Sequence, residues 1–194
     1  RHGLGFDNRA LTEAEIGQIC DRAVAGWNLK GRRVLLIIPD STRSCPMDVM
    51  FRLLYQRIAR LVEHVDILVA LGTHPPMTET QIYERVGITA EAHHKSYPKA
   101  RFFNHEWKNQ SQLAEVGRLS RRDVQEITGG LFELDVVIKC NRMALDHDVL
   151  IIVGPVFPHE VVGFSGGNKY LFPGIAGREI IDFFHWLGAV ITNP

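Results

Sequence analysis

Short apolar runs rich in Val and Ile recur along the chain, from Val34 to Ile38, Val65 to Leu71, Val136 to Ile138 and Val149 to Val153, each bounded by Gly, Pro or Asp. Runs this short and this continuous read as strands buried on both faces, as in a parallel sheet. Elsewhere the apolar residues return at helical spacing. Ile16, Ile19, Cys20, Ala23 and Trp27 make one stripe, and Met47, Met50, Phe51, Leu54, Ile58, Leu61 and Val62 make another. Thr12 with Glu15 and Thr78 with Gln81 are capping boxes, and Pro46 suits the first turn of the helix it precedes. Alternating helices and strands predict an α/β domain with a mainly parallel, Rossmann-like sheet flanked by helices. Residues 101–134 are less legible, with a strand expected at Arg101 to Phe103 and a turn at Gly129-Gly130.

Composition narrows the picture. A chain of 194 residues, 45% hydrophobic and 23% charged, suffices for one well-packed domain over residues 1–194. Its 22 basic and 22 acidic residues cancel, which removes the electrostatic footprint of a general nucleic-acid binder and favours a small-molecule ligand. Cys20, Cys45 and Cys140 are odd in number and widely spaced, so neither a disulfide framework nor a zinc knuckle is expected. With no apolar run near the roughly eighteen residues of a membrane span and no signal-peptide pattern, a cytoplasmic setting is expected and no membrane partner. The missing initiator Met and the end at Pro194 suggest the amino-terminal part of a longer, two-domain protein.

In parallel sheets ligands sit beyond the carboxyl ends of the strands, so the polar residues that follow each strand carry the chemistry. After the first strand comes Pro39-Asp40-Ser41-Thr42-Arg43-Ser44-Cys45-Pro46. Helix-start amides and the Arg43 fork suit a phosphate, and Asp40 would accept a ribose hydroxyl or orient Arg43. Its bland alternative is a capped helix with a surface ion pair. The second loop, Gly72-Thr73-His74-Pro75-Pro76-Met77, holds one imidazole on a stiff turn, as a general base requires.

The richest stretch runs from Pro155 to His185 and crowds Gly, Pro, Lys and His behind the last strand. Apolar Phe157, Val161, Val162, Phe164, Leu171 and Phe172 argue against disorder, and loops of this length inside a domain are usually functional. Lys169, behind three glycines and between apolar neighbours, would serve as a nucleophile or covalent tether if partly desolvated. His159 lies upstream, and His185 sits in an expected helix from which its imidazole would reach a metal. The other histidines receive no role, and adjacent His93 and His94 are expected to point apart. Gly163-Phe164-Ser165-Gly166-Gly167 also satisfies the G-x-S-x-G pattern of a serine hydrolase, although Ser165 lies well after the strand that an elbow requires. A non-catalytic nucleotide- or phosphate-binding domain is a further alternative.

D-S-T-R, G-T-H-P-P-M and, above all, P-H-E-V-V-G-F-S-G-G-N-K running through P-G to His185 resemble the amino-terminal domain of the nickel-pincer lactate racemase family. The resemblance covers the chain from about Val34 onward. It implies a racemase or epimerase of 2-hydroxy acids with a pyridinium-3,5-bisthiocarboxylic acid mononucleotide joined to Lys169. It further implies nickel held by ring carbon, two sulfurs and His185. His74 and His159 resemble the paired acid/base histidines, while Asp40, Thr42 and Arg43 resemble contacts to the nucleotide portion. Soft sulfur with imidazole is reasonable chemistry for nickel. A pyridinium that accepts the C2 hydride avoids the poorly stabilised carbanion that direct deprotonation would give. Partners implied are cofactor-synthesis enzymes and a second α/β domain. Ser44 stands where the family often has proline and Pro75 where some members have arginine, so the substrate side chain is not readable.

Overall fold

The computed structural model describes residues 2–159 and 163–192. Four parallel strands form the central sheet in the order β3-β2-β1-β6: β1 Val34–Pro39, β2 Val65–Ala70, β3 Ala100–Asn104 and β6 Val149–Ile152. Helices α1 Glu13–Ala25, α2 Met47–Ile58, α3 Glu79–Val86 and α4 Ala90–Ser96 precede or connect the first three strands. Both capping boxes form as expected, on α1 and α3, and Pro46 is the N-cap of α2 rather than its first residue.

Alternation along β1 explains the layering. Val34, Leu36 and Ile38 join Phe51, Leu54 and Ile58 of α2 in the main core, while Leu35 and Ile37 face the other way, with Leu68, Tyr170 and Ile175. Each fully buried aliphatic side chain contributes about 1.5–3 kcal/mol of transfer free energy. On the second face no long helix covers the sheet among the described residues. The irregular segment from Tyr170 to Ile175 does so instead, with Met143 and Ala144 of α6 Met143–Asp146 beside it.

The expected strand at Val136 exists, as β5 Val136–Asn141, but it is not part of the parallel sheet. It pairs antiparallel with β4 Leu113–Leu119, and α5 Arg121–Ile127 with α7 Arg178–Thr192 close a smaller core over it through Val124, Phe132, Val136 and Phe183. An apolar run does not reveal the direction of its partner. Gly129 and Gly130 form the expected turn, both at positive φ. A two-strand hairpin, β7 Pro158–His159 with β8 Gly163–Phe164, completes the fold. Glu160, Val161 and Val162 lie outside the described residues, so the apolar character expected of the latter two has no structural account. His93 and His94 do not diverge, since their rings stack with centroids 5.6 Å apart.

Two buried polar clusters tie the layers together. Asp66 in β2 takes both Arg101 nitrogens at 2.6 and 2.7 Å and His147 Nε2 at 2.9 Å. Burial pushes its carboxyl up, yet the hydrogen bonds from Arg101 and His147 outweigh this and hold it below the ordinary range. His105, fully buried after β3, donates from Nε2 to the Ala176 carbonyl at 2.9 Å and accepts at Nδ1 from Asn141 at 3.3 Å. That pairing requires the neutral ring, and burial lowers its pKa accordingly.

Replacing Asp66 by Ala strands the buried His147 N–H. With Arg101 half exposed, we expect a loss of about 2 kcal/mol, read as a lower urea midpoint at unchanged m. His105 sets a pH dependence of definite sign. Below the usual imidazole range the unfolded chain takes up a proton that the folded ring refuses. Stability is therefore full above about pH 6.5 and falls as pH drops, by at most about 1.4 kcal/mol per unit. Urea midpoints measured across that range should decline in the native chain and flatten in His105→Gln.

Candidate active site

Chain segments leaving β1, β2 and β6 meet at the carboxyl edge of the sheet, where neighbouring connections diverge to opposite sides and a crevice opens. A cavity of about 200 Å³ lies there. Asp40, Thr42 and Arg43 enter it from the loop after β1, and His74 from the loop after β2. His159 of β7, Lys169 of the 3-10 turn Gly167–Tyr170 and His185 of α7 close the remaining sides. All seven residues singled out in the sequence thus line one cavity, although they span 145 positions from Asp40 to His185 (185 − 40).

Local backbone chemistry brings them together. Gly72 N–H donates to Gly174 O at 2.8 Å, which ties the His74 loop to the last segment. Gly166 adopts φ 76°, and any side chain there would collide with the Pro155 carbonyl and with Val156. Only glycine lets the turn that carries Lys169 lie this close to the strand exit. Gly174 N–H then donates to the Lys169 carbonyl at 3.0 Å, fixing the base of that side chain.

Asp40 is buried and both its oxygens are engaged within the protein. Oδ1 accepts from the Thr42 hydroxyl at 2.5 Å and the Thr42 amide at 3.1 Å, and Oδ2 meets His74 Nδ1 at 2.5 Å. The carboxylate therefore faces His74 and Thr42, and Arg43 is not among its partners. Burial would raise its pKa, but the hydrogen bonds from Thr42 and His74 prevail and hold it low. With Nδ1 turned to Asp40, His74 presents Nε2 as its remaining nitrogen, in a side chain 47% exposed. Across the cavity Lys169 Nζ lies 2.7 Å from His159 Nε2. Arg43 is exposed and makes no side-chain hydrogen bond or ion pair among the described residues.

His185 is the one candidate metal ligand from α7, and among the described residues no three His, Cys, Asp or Glu side chains are grouped to hold an ion. That set does not fit a metal centre built from protein ligands alone. A metal held by a single imidazole would need its other ligands from a bound group. Ser165, the candidate hydrolase nucleophile, follows β8 and precedes a 3-10 turn instead of joining a strand to a helix. Its hydroxyl is spent on Phe157, donating to the carbonyl at 3.1 Å and accepting from the amide at 3.2 Å.

Two residues of structural weight carried no mark in the sequence. Arg85 of α3 reaches the first loop from behind, donating to Pro39 O at 3.2 Å, Arg43 O at 2.9 Å and Cys45 Sγ at 3.0 Å. Tyr170 forms part of the cavity wall. A lone Arg on a helix face and a Tyr in an apolar run have no local signature.

A Rossmann-like α/β domain with imidazoles and a lysine around a strand-end cavity is a class of small-molecule site, and comparison with known proteins gives it a lineage. The sequence matches the lactate racemase N-terminal domain over residues 13–194, and the chain belongs to that family. Lactate racemase from Thermoanaerobacterium thermosaccharolyticum is 28% identical over 165 residues, covering 84% of this chain. That from Lactiplantibacillus plantarum is 28% identical over 163 residues, covering 83%. This chain spans 34% of the length of each. A crystal structure of a protein from Thermotoga maritima matches with TM-score 0.82 at 34% identity, over 94% of this chain and 42% of that one. The lactate racemase apoprotein from T. thermosaccharolyticum shares the fold, with TM-score 0.65 at 24% identity over 85% of this chain and 38% of that one. Among the described residues no helix is long and apolar enough to cross a membrane.

The Asp40 carboxyl should titrate below about 3.9 in ¹³C NMR, and Thr42→Val, which removes one donor, should move the midpoint upward.

Proposed function

We propose that this domain carries the reaction centre of a nickel-dependent racemase or epimerase of lactate-like 2-hydroxy acids, working in the cytoplasm. The observation that carries this reading is the convergence of Lys169, His74, His159 and His185 on one cavity in a lactate racemase N-terminal domain. Lys169 would hold a pyridinium-3,5-bisthiocarboxylic acid mononucleotide and His185 its nickel. When bound, that group supplies a hydride acceptor for the C2–H, a bond too weakly acidic to open by proton loss alone.

The chain's own task is to manage the hydroxyl proton. An imidazole takes it as the alcohol carbon becomes a planar carbonyl, and returns it when the carbon is reduced again. Two imidazoles serve the two enantiomers. Asp40 holds His74 with Nδ1 inward, so that Nε2 meets the substrate hydroxyl. Attachment at Lys169 would turn the amine beside His159 into an uncharged amide-type nitrogen.

The relatives' greater length is the basis for a second domain that closes the cavity and excludes water. Cofactor-synthesis enzymes are the other expected partners, and nucleic acid is not one, the net charge being zero.

Chain co-produced with the cofactor-synthesis enzymes should gain mass on Lys169 and contain about one nickel per chain, and Lys169→Ala should lose both. Intact mass and elemental analysis read this without an activity assay. Nucleotide bound with no adduct in the native chain would instead favour the non-catalytic binding domain.

A further inference from the structure

Tyr170 follows Lys169 in the chain and lines the same cavity, yet the roles above leave it unused. Its ring lies among Leu35, Ile37, Leu68 and Ile175 on the second face of the sheet, with 8% of the residue exposed. Gly154, just past β6, makes the room, because any side chain there would collide with the ring and its oxygen. A Phe would fill this apolar slot equally well. The hydroxyl is therefore the part that needs a reason.

Among the described residues that hydroxyl has no hydrogen-bond partner, and its oxygen is open to the cavity instead of sealed in the core. A polar group on a side chain more than nine-tenths buried is costly when left unpaired, so an unpaired one aimed into a cavity points to a ligand. Its surroundings indicate which kind. Burial, with Cys45 and Asp40, pushes the phenol up to about 12 against the pull of Arg43 and Arg85, so it stays a neutral donor. Arg43 lines the same cavity with its guanidinium uncommitted to any described residue. An O–H donor and a guanidinium fork together complement an oxygen anion.

We propose that the Tyr170 hydroxyl is a further ligand-binding donor of this cavity, joining the Arg43 guanidinium already assigned to an anion in holding an oxyanion of the ligand, a carboxylate or a phosphate. The pairing deepens the reading of the cavity given above and rests on it for the ligand's origin, which is either the 2-hydroxy acid carboxylate or the nucleotide phosphate.

The test uses the 194-residue chain without tether or metal, so it does not depend on Lys169. NMR titrations with oxalate and with ribose 5-phosphate compare the native chain, Tyr170→Phe and Arg43→Ala. At least one probe should bind the native chain and lose about tenfold in affinity in each variant, the magnitude of a hydrogen bond to a charged group. Tyr170→Phe should melt at the native temperature, because its hydroxyl bonds no protein group. Loss confined to oxalate assigns the pair to the substrate carboxylate, loss confined to the sugar phosphate assigns it to the nucleotide, and loss of both marks a site that takes either. Unchanged affinity in Tyr170→Phe, or no binding of either probe to the native chain, overturns the proposal. A missing Lys169 adduct alongside an intact Tyr170→Phe effect would count against the racemase and leave the oxyanion pair standing.

Discussion

The site depends on how one short segment, Gly174 to Gly177, is pinned between the two parts of the fold. Gly174 accepts from Gly72 of the loop that leaves β2, Ile175 accepts from Asn141, Ala176 accepts from buried His105, and Gly177 donates to Lys139 of the antiparallel pair. Each bond satisfies a backbone group that burial would otherwise leave costly. Because these bonds reach in both directions, the segment is a seam that fixes Lys169 on one side of it and α7 with His185 on the other. The neutral ring of His105 is its fully buried stitch.

Upstream, Asp40 does comparable work at shorter range. A buried carboxylate with no cation beside it other than an imidazole must be satisfied by hydrogen bonds, and Thr42 and His74 supply them. The result is a histidine whose orientation is set by a carboxylate that Thr42 itself holds in place. His159 has a different environment, next to an amine. The two imidazoles therefore sit in unlike surroundings, one against a carboxylate and one against an amine.

Much of this was legible before any coordinates. Strands β1, β2 and β6 announce themselves through unbroken Val and Ile, and the capping boxes of α1 and α3 through side chains three residues apart. Polar residues immediately after those strands could be picked out because sheet topology dictates where strand ends gather. The antiparallel pair was harder. β4 buries only Leu113 and exposes Glu115, Val116 and Arg118, and α4 has no buried side chain, so neither presents a face for pattern to detect. Asp40 was legible as a residue at the strand end but not as the partner of His74, since a contact across 34 positions leaves no trace in local spacing.

The grip of Arg85 has a consequence for how this pocket can change. The loop that bears Asp40, Thr42 and Arg43 is held from its outer side by a residue of a neighbouring helix that does not line the cavity. Substitutions along α3 can thus shift the pocket's rim while leaving every lining residue intact. Divergence in ligand preference within such a scaffold can begin at positions that no inspection of the pocket walls would single out.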